Sequence, residues 1–313
     1  MNRGRFGRLV TAMVTPFGDA GDLDLEAAAT LARHLERTGS EALVVGGTTG
    51  ESPVMGDDEK VELFETVAKS VAIPVIAGAT TNDTLHSVEL TRRAEAAGAA
   101  AVLAVTPYYN RPSQTGLHRH FAAIASSTSL PVLLYDIPVR TGRKIANETM
   151  VRLAREHANV VGVKDATADP ATTARLIAEA PPGFEVYSGD DALTLPLCAI
   201  GAVGVVSVAA HWLGPELARM MDSFFAGEVA EAARLNRELV HAVAFQSSDE
   251  APNPMPAKAV LRAMGLPVGQ CRLPHGAAPG WLDERASELL ADLESWRSAE
   301  HATRSENPRA ATA

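Results

Sequence analysis

The run Val160-Val161-Gly162-Val163-Lys164 stays apolar until it ends on a charge. A strand with one wet face would alternate apolar and polar residues. This one does not, so it reads as a parallel strand buried on both faces. Seven further runs have the same character, near Leu9–Val14, Ala42–Val45, Pro74–Ala77, Ala101–Val105, Val132–Tyr135, Glu185–Tyr187 and Val203–Val208. Strand starts recur about every 20 to 35 residues, the length of one βα unit.

The segments between the runs carry helix punctuation. Asp24 precedes an apolar stripe of Leu25, Ala28, Leu31, Ala32 and Leu35, and Gly39 closes it. A second helix starts at Asp57-Asp58 and buries Val61, Phe64, Val67, Ala68 and Val71; Pro74 bars its continuation. A third runs from Asp83 to Gly98, and others follow Gln114, Asn147, Pro170, Ala192 and Pro215. Eight such units close into a (β/α)₈ TIM barrel, an α/β fold. An open doubly wound sheet and a pair of α/β domains compete with it. The count of eight and the lack of an interrupting linker favour the barrel, assigned to residues 1–228. Beyond it the pattern is helical only, at Ala230–Val243, Pro256–Ala263 and Leu282–Trp296, which makes 229–298 a C-terminal helical domain. Residues 299–313 are polar and small, and read as a disordered tail.

Composition narrows the function. With 46% hydrophobic and 21% charged residues the chain can bury a core. A net charge of −10 argues against nucleic acid or an anionic membrane as partner, but not against a small anion in a locally positive pocket. No run of about 18 apolar residues is present, and nothing after Met1–Phe6 reads as a signal peptide. Cys198 and Cys271 cannot build a disulfide framework or a zinc set. A cytoplasmic protein is expected. No His-Glu-x-x-His pattern occurs, and His118 and His120 read as two separate surface histidines, so no metal is expected.

Barrel chemistry sits at the C-terminal ends of strands. Of the five lysines, Lys60 and Lys69 fall on the exposed side of a helix pattern, and Lys144 and Lys258 in polar or proline-flanked segments. Lys164 alone ends a strand. Desolvation at a barrel mouth favours a neutral amine able to attack a carbonyl; pairing with Asp165 is the other reading. The second strand leads into Gly46-Gly47-Thr48-Thr49-Gly50-Glu51-Ser52, where backbone N–H groups and hydroxyls suit a carboxylate, or where the glycines make only a turn. The fifth ends in Tyr135-Asp136-Ile137-Pro138-Val139-Arg140, offering a proton-shuttling phenol and a carboxylate fork, or a core tyrosine and a surface arginine. The fourth ends in Thr106-Pro107-Tyr108-Tyr109-Asn110-Arg111-Pro112, where one tyrosine reaches a site or both form an interface loop.

With Gly162–Asp165, Ser188-Gly189-Asp190-Asp191 and Asn253-Pro254-x-Pro256-x-Lys258, these loops resemble the dihydrodipicolinate synthase / N-acetylneuraminate lyase family, over about Gly7 to Leu293. The resemblance implies a barrel with a C-terminal helical domain, usually a homotetramer arranged as a dimer of dimers. It implies an imine between pyruvate and Lys164, with no separate cofactor. Thr48 and Thr49 would hold the pyruvate carboxylate. Tyr135 would relay protons through Thr48 and through Tyr109 lent by a neighbouring subunit. Gly189 and Val206 would line the pyruvate pocket. Thr-Thr in the second loop and Arg140, which would receive the aspartate-semialdehyde carboxylate, side with the synthases. The implied reaction condenses pyruvate with L-aspartate 4-semialdehyde to 4-hydroxy-tetrahydrodipicolinate, on the diaminopimelate and lysine pathway. The alternatives are an aldolase or dehydratase of the family acting on 2-keto-3-deoxy sugar acids, and a non-catalytic keto-acid-binding regulator. Asp136 stands where many members carry asparagine. At the family's lysine-feedback pocket Asn82 and Tyr108 agree, whereas Asp57, Lys60 and His86 replace the usual His, His and Glu, so weak or absent lysine inhibition is expected.

Overall fold

The computed structural model describes residues 3–306. Strands β1 (Leu9–Ala12), β2 (Ala42–Val45), β3 (Val75–Ala77), β4 (Ala101–Val105), β5 (Val132–Asp136), β6 (Val160–Asp165), β7 (Glu185–Ser188) and β8 (Gly204–Ser207) form one closed parallel barrel in chain order. All eight apolar runs are strands. The open sheet is thereby excluded, because β1 pairs with β8 as well as with β2.

Around the barrel lie α1 (Leu25–Arg37), α2 (Asp57–Ser70), α3 (Thr84–Ala96), α4 (Gln114–Ala125), the short α5 (Pro138–Thr141), α6 (Asn147–Glu156), α7 (Pro170–Glu179), α8 (Thr194–Ala199) and α9 (Ala210–Phe225). The side chains of Asp24, Asp83, Ser113 and Asp169 accept hydrogen bonds from the opening turns of α1, α3, α4 and α7. Such caps satisfy donors that the helix itself leaves unpaired. Helix α9 starts five residues before Pro215, where the sequence placed its beginning. It is kinked at Leu213 (φ −119, ψ 18), so Pro215 opens a second helical segment and its missing N–H costs little.

Helices α10 (Val229–Ala244), α11 (Met255–Ala263) and α12 (Gly280–Glu306) follow. Residues 299–306, expected to belong to a disordered tail, are helical instead. Helix α12 continues to Glu306, and Glu300 is held 2.8 Å from both Arg219 on α9 and Arg234 on α10. Residues 307–313 of that tail lie outside the described residues. No helix among the described residues is long and apolar enough to cross a bilayer.

Alternation divides the strand side chains into an interior and an outer layer. Val10, Val44, Ile76, Leu103, Leu133, Tyr135, Tyr187 and Val206 pack together inside the barrel. Val132, Leu134, Val160 and Val163 pack outward against Leu117, Phe121, Leu153 and Leu176 of the helices. Val160 and Val163 are three apart yet share the outer layer. The reason is a register shift against β5, where Val132 pairs with Val160 and Leu133 with Gly162. One extra residue in β6 reverses the parity. Regular alternation from Val160 would send Lys164 out to the helices; the bulge turns it inward.

Candidate active site

A cavity of about 250 Å³ opens where β2 to β5 end, lined among others by Gly47, Thr48, Tyr108, Tyr135 and Arg140. Lys164 is buried, and its Nζ lies 4.4 Å from the centroid of the Tyr135 ring. The lysine therefore meets the cavity through one of its wall residues. The pairing of Lys164 with Asp165 is not observed. Asp165 accepts instead from Thr167 N at 2.9 Å and Thr173 Oγ1 at 2.6 Å. Those partners belong to the following loop and α7, on the outer side of the strand.

The chain has four tyrosines, and burial separates their roles. Tyr187 lies beside Lys164 in register but its hydroxyl accepts from Phe6 N at 3.1 Å and donates to Glu185 Oε2 at 3.2 Å, towards the opposite mouth. Its phenol is driven well above the ordinary range, first by burial. Tyr135 is buried at the level of the lysine. Tyr108 faces the cavity, whereas Tyr109 is 92% exposed on a backbone with φ +73. Asn82 Nδ2 donates to Tyr108 O at 3.3 Å, and Asn110 Nδ2 to Asn82 O at 3.0 Å, bracing this turn.

The glycine-rich loop after β2 folds back tightly. Gly46 has φ +67, and a Cβ on Gly78 would come 2.2 Å from Gly46 O. Thr48 reaches the cavity, while Thr49 is buried and accepts from Asn253 Nδ2 at 3.1 Å. Arg140, on α5, lines the cavity, and its guanidinium has no hydrogen-bond or ion-pair partner among the described residues. Gly189 follows β7, its N–H donating to Asp165 O at 2.7 Å, and Val206 packs inside the barrel with Tyr135. Thr48, Tyr135 and Arg140 thus share the cavity. Lys164, Thr49, Gly189 and Val206 are not among its lining residues: Lys164 and Val206 pack next to Tyr135, Thr49 is buried behind Thr48, and Gly189 follows β7. Tyr109 does not line it either and is exposed.

Lys60 is not where the sequence placed it, and Lys258, in its proline-flanked segment, is buried as well. Lys60 is buried, because the inward stripe of α2 is Lys60, Leu63, Phe64 and Val67 rather than the Val61 face. Lys258 is fully buried, 2.7 Å from Glu51 Oε1. Burial pushes both ammonium groups below the usual lysine range. Among the described cationic side chains at strand ends, Lys164 still differs in having no carboxylate partner. His120 is also buried, hydrogen-bonded to Thr84 Oγ1 at 2.9 Å and held near 4 by desolvation, so it is not a surface histidine. Among the described residues, no three His, Cys, Asp or Glu side chains are grouped to hold a metal ion.

Sequence reasoning did not find Glu51, Asn253 and Lys258 as a group. The motif residues were visible, but their contacts join segments about 200 residues apart.

Comparison with known proteins agrees with this arrangement. The chain is 47% identical over 284 residues to the 4-hydroxy-tetrahydrodipicolinate synthase of Bacillus subtilis, covering 90% of this chain and 97% of that one. The crystal structure of dihydrodipicolinate synthase DapA-2 from Bacillus anthracis superposes with a TM-score of 0.88 at 43% identity, over 92% of this chain and 98% of that chain. The enzyme from Cyanidioschyzon merolae, solved with lysine bound, gives a TM-score of 0.88 at 41% identity, over 92% and 98% of the two chains. The profile of the dihydrodipicolinate synthetase family matches residues 5–291, so a closed barrel with a buried strand-end lysine and nearly the whole length of the sequence place this chain in that family.

Proposed function

We propose that this chain condenses pyruvate with L-aspartate 4-semialdehyde to 4-hydroxy-tetrahydrodipicolinate, for diaminopimelate and lysine biosynthesis in the cytoplasm, through an imine on Lys164. The supporting observation is a lysine nitrogen buried in the barrel against an aromatic face with no carboxylate beside it. An ion pair would tie the nitrogen to its partner; a ring face orients it more weakly.

Thr48 and Thr49 take the pyruvate carboxylate. The neutral Lys164 amine attacks the keto carbon, and the carbinolamine loses water to form the imine. Tyr135 carries protons in these steps, with Thr48 and with Tyr109 of a neighbouring subunit. The imine acidifies the pyruvate methyl group, which loses a proton to give an enamine. The enamine carbon attacks the aldehyde, whose oxygen takes up a proton. The substrate's own amine then attacks the imine carbon and expels the Lys164 amine, closing the ring. Arg140 at the rim receives the carboxylate of the second substrate, and Gly189 and Val206 shape the pyruvate end. The exposure of Tyr109 supports a subunit exchange of this residue within a homotetramer.

Borohydride with pyruvate should leave a reduced adduct on Lys164, seen by peptide mass. Lys164→Ala should abolish both the adduct and turnover with aspartate semialdehyde in a coupled assay. Near-normal turnover in that variant would overturn the mechanism. Turnover confined to 2-keto-3-deoxy sugar acids would keep the imine and overturn the substrate.

A further inference from the structure

We infer that the segment from Asn253 to Lys258 is part of the pyruvate carboxylate site, with both residues acting as positioning residues for Thr49 and its loop. This rests on the proposed function and extends it to a segment some 200 residues away.

The contacts are few and specific. Asn253 Nδ2 donates to Thr49 Oγ1 at 3.1 Å, and both residues are buried. A hydroxyl has one proton to give. With its oxygen already accepting from Asn253, the Thr49 hydroxyl is free to donate that proton to an anion. Asn253 is itself fixed by its own N–H, which donates to Ser247 Oγ at 3.2 Å. Its Oδ1 is buried without a partner, a cost that this orientation bears.

Two residues along from Thr49, Glu51 adopts a left-handed backbone with φ +57. Both carboxylate oxygens have a neighbour, Oε1 through an ion pair without a hydrogen bond. Oε1 lies 2.7 Å from Lys258 Nζ, and Oε2 accepts from Arg272 N at 2.9 Å. Lys258 in turn donates to Gln270 O at 2.9 Å and lies 4.4 Å from the Phe17 ring centroid. A buried ion pair is poor value as a source of stability, since desolvation offsets most of the attraction. It is well suited to fixing one geometry. Here it pins the end of the loop that carries Thr48 and Thr49, while Thr15 Oγ1 donates to Gly50 O at 2.6 Å from the other side.

The test reads the pyruvate concentration that half-saturates borohydride trapping on Lys164, measured with the full chain. In Asn253→Leu, similar in size and uncharged, this concentration should rise about tenfold, the worth of one hydrogen bond serving a charged ligand. The thermal midpoint should hold or increase, because the unpaired Oδ1 is removed. In a Thr49→Val background the same substitution should change nothing further. The double variant Glu51→Gln/Lys258→Met removes both buried charges together, which avoids leaving either one unpaired. It should also raise half-saturation while trapping at saturating pyruvate still goes to completion. Unchanged half-saturation in both variants, or equal effects of Asn253→Leu with and without Thr49, would overturn the inference. If the unaltered protein gives no adduct with pyruvate, it is the proposed function that fails.

Discussion

Tyr135 and Lys164 are direct partners on neighbouring parallel strands, and the lysine nitrogen sits 4.4 Å from the centre of the tyrosine ring. The ring face offers a cation about 0.5 to 2 kcal/mol, enough to orient the side chain. The same residue also lines the cavity. Under the proposed function one residue would supply both a resting place for the amine and a proton carrier.

That division of labour can be separated by mutation. Tyr135→Phe keeps the ring and loses the hydroxyl. Turnover should fall about a hundredfold, a common size for a lost general acid–base group, while the adduct at saturating pyruvate still forms, only more slowly. Single-turnover trapping followed by mass checks this. A variant with unaltered trapping rate and turnover would remove Tyr135 from the relay.

The inward direction of Lys164 depends on the β6 bulge, and the bulge depends on Gly162. A Cβ there would lie 2.2 Å from Glu185 O and 3.1 Å from Leu133 Cδ1. Backbone cannot yield as a flexible side chain can. Gly162→Ala should therefore cost about 3 kcal/mol of stability and also impair trapping on Lys164, because parting β6 from β7 moves the lysine. Denaturant unfolding together with trapping measures both effects. A variant of normal stability and trapping would show that the strand tolerates the extra carbon.

The bulge also marks where sequence reasoning stops. Each strand was legible because buried parallel strands are apolar throughout, and their ends fell within about two residues of the observed ones. Continuous apolarity carries no face information, however, so the sequence could not tell which way Lys164 points. Lys60 was misread for a related reason: Val61 and Leu63 both look apolar, and a stripe shifted by one residue buries a charge. Lys258 looked incidental because its partner, Glu51, lies far away in the chain. The loops carrying Thr48, Tyr135 and Arg140 were legible as strand ends. Their convergence on one cavity follows from barrel closure and not from spacing.

The residues at the feedback positions make a prediction about regulation. His86 Nε2 is 2.7 Å from Asp57 Oδ2, and the buried Lys60 ammonium is 3.8 Å from Asp57 Oδ1. The Asp57 carboxylate is already engaged by two nitrogen groups, and the fixed cation repels a second ammonium. Free L-lysine should accordingly inhibit weakly or not at all. A titration of the condensation rate giving half-inhibition at sub-millimolar lysine would contradict this.

Asp136 gives a pH signature that an asparagine there could not. It is buried, with Oδ1 accepting from Ile145 N at 3.2 Å and Oδ2 unpaired. Burial raises its pKa to about 7, against the pull of the Ile145 N–H, Lys144 and Thr106, and with a further push from Asp165 across the strand pair. In the unfolded chain the group titrates near 3.9. Between roughly pH 4 and pH 7 the folded protein therefore keeps a proton that the unfolded chain releases, so stability falls as pH rises through this window. The neutral acid's contribution is complete below the lower value and gone above the upper one. Asp136→Asn cannot titrate. It should match the parent near pH 4 and become more stable with rising pH, by up to about 4 kcal/mol above pH 7. Thermal midpoints of both proteins from pH 5 to pH 8 measure the divergence. Parallel curves would mean that Asp136 is ionised throughout, and that a charge is buried on the outer side of β5 next to Tyr135.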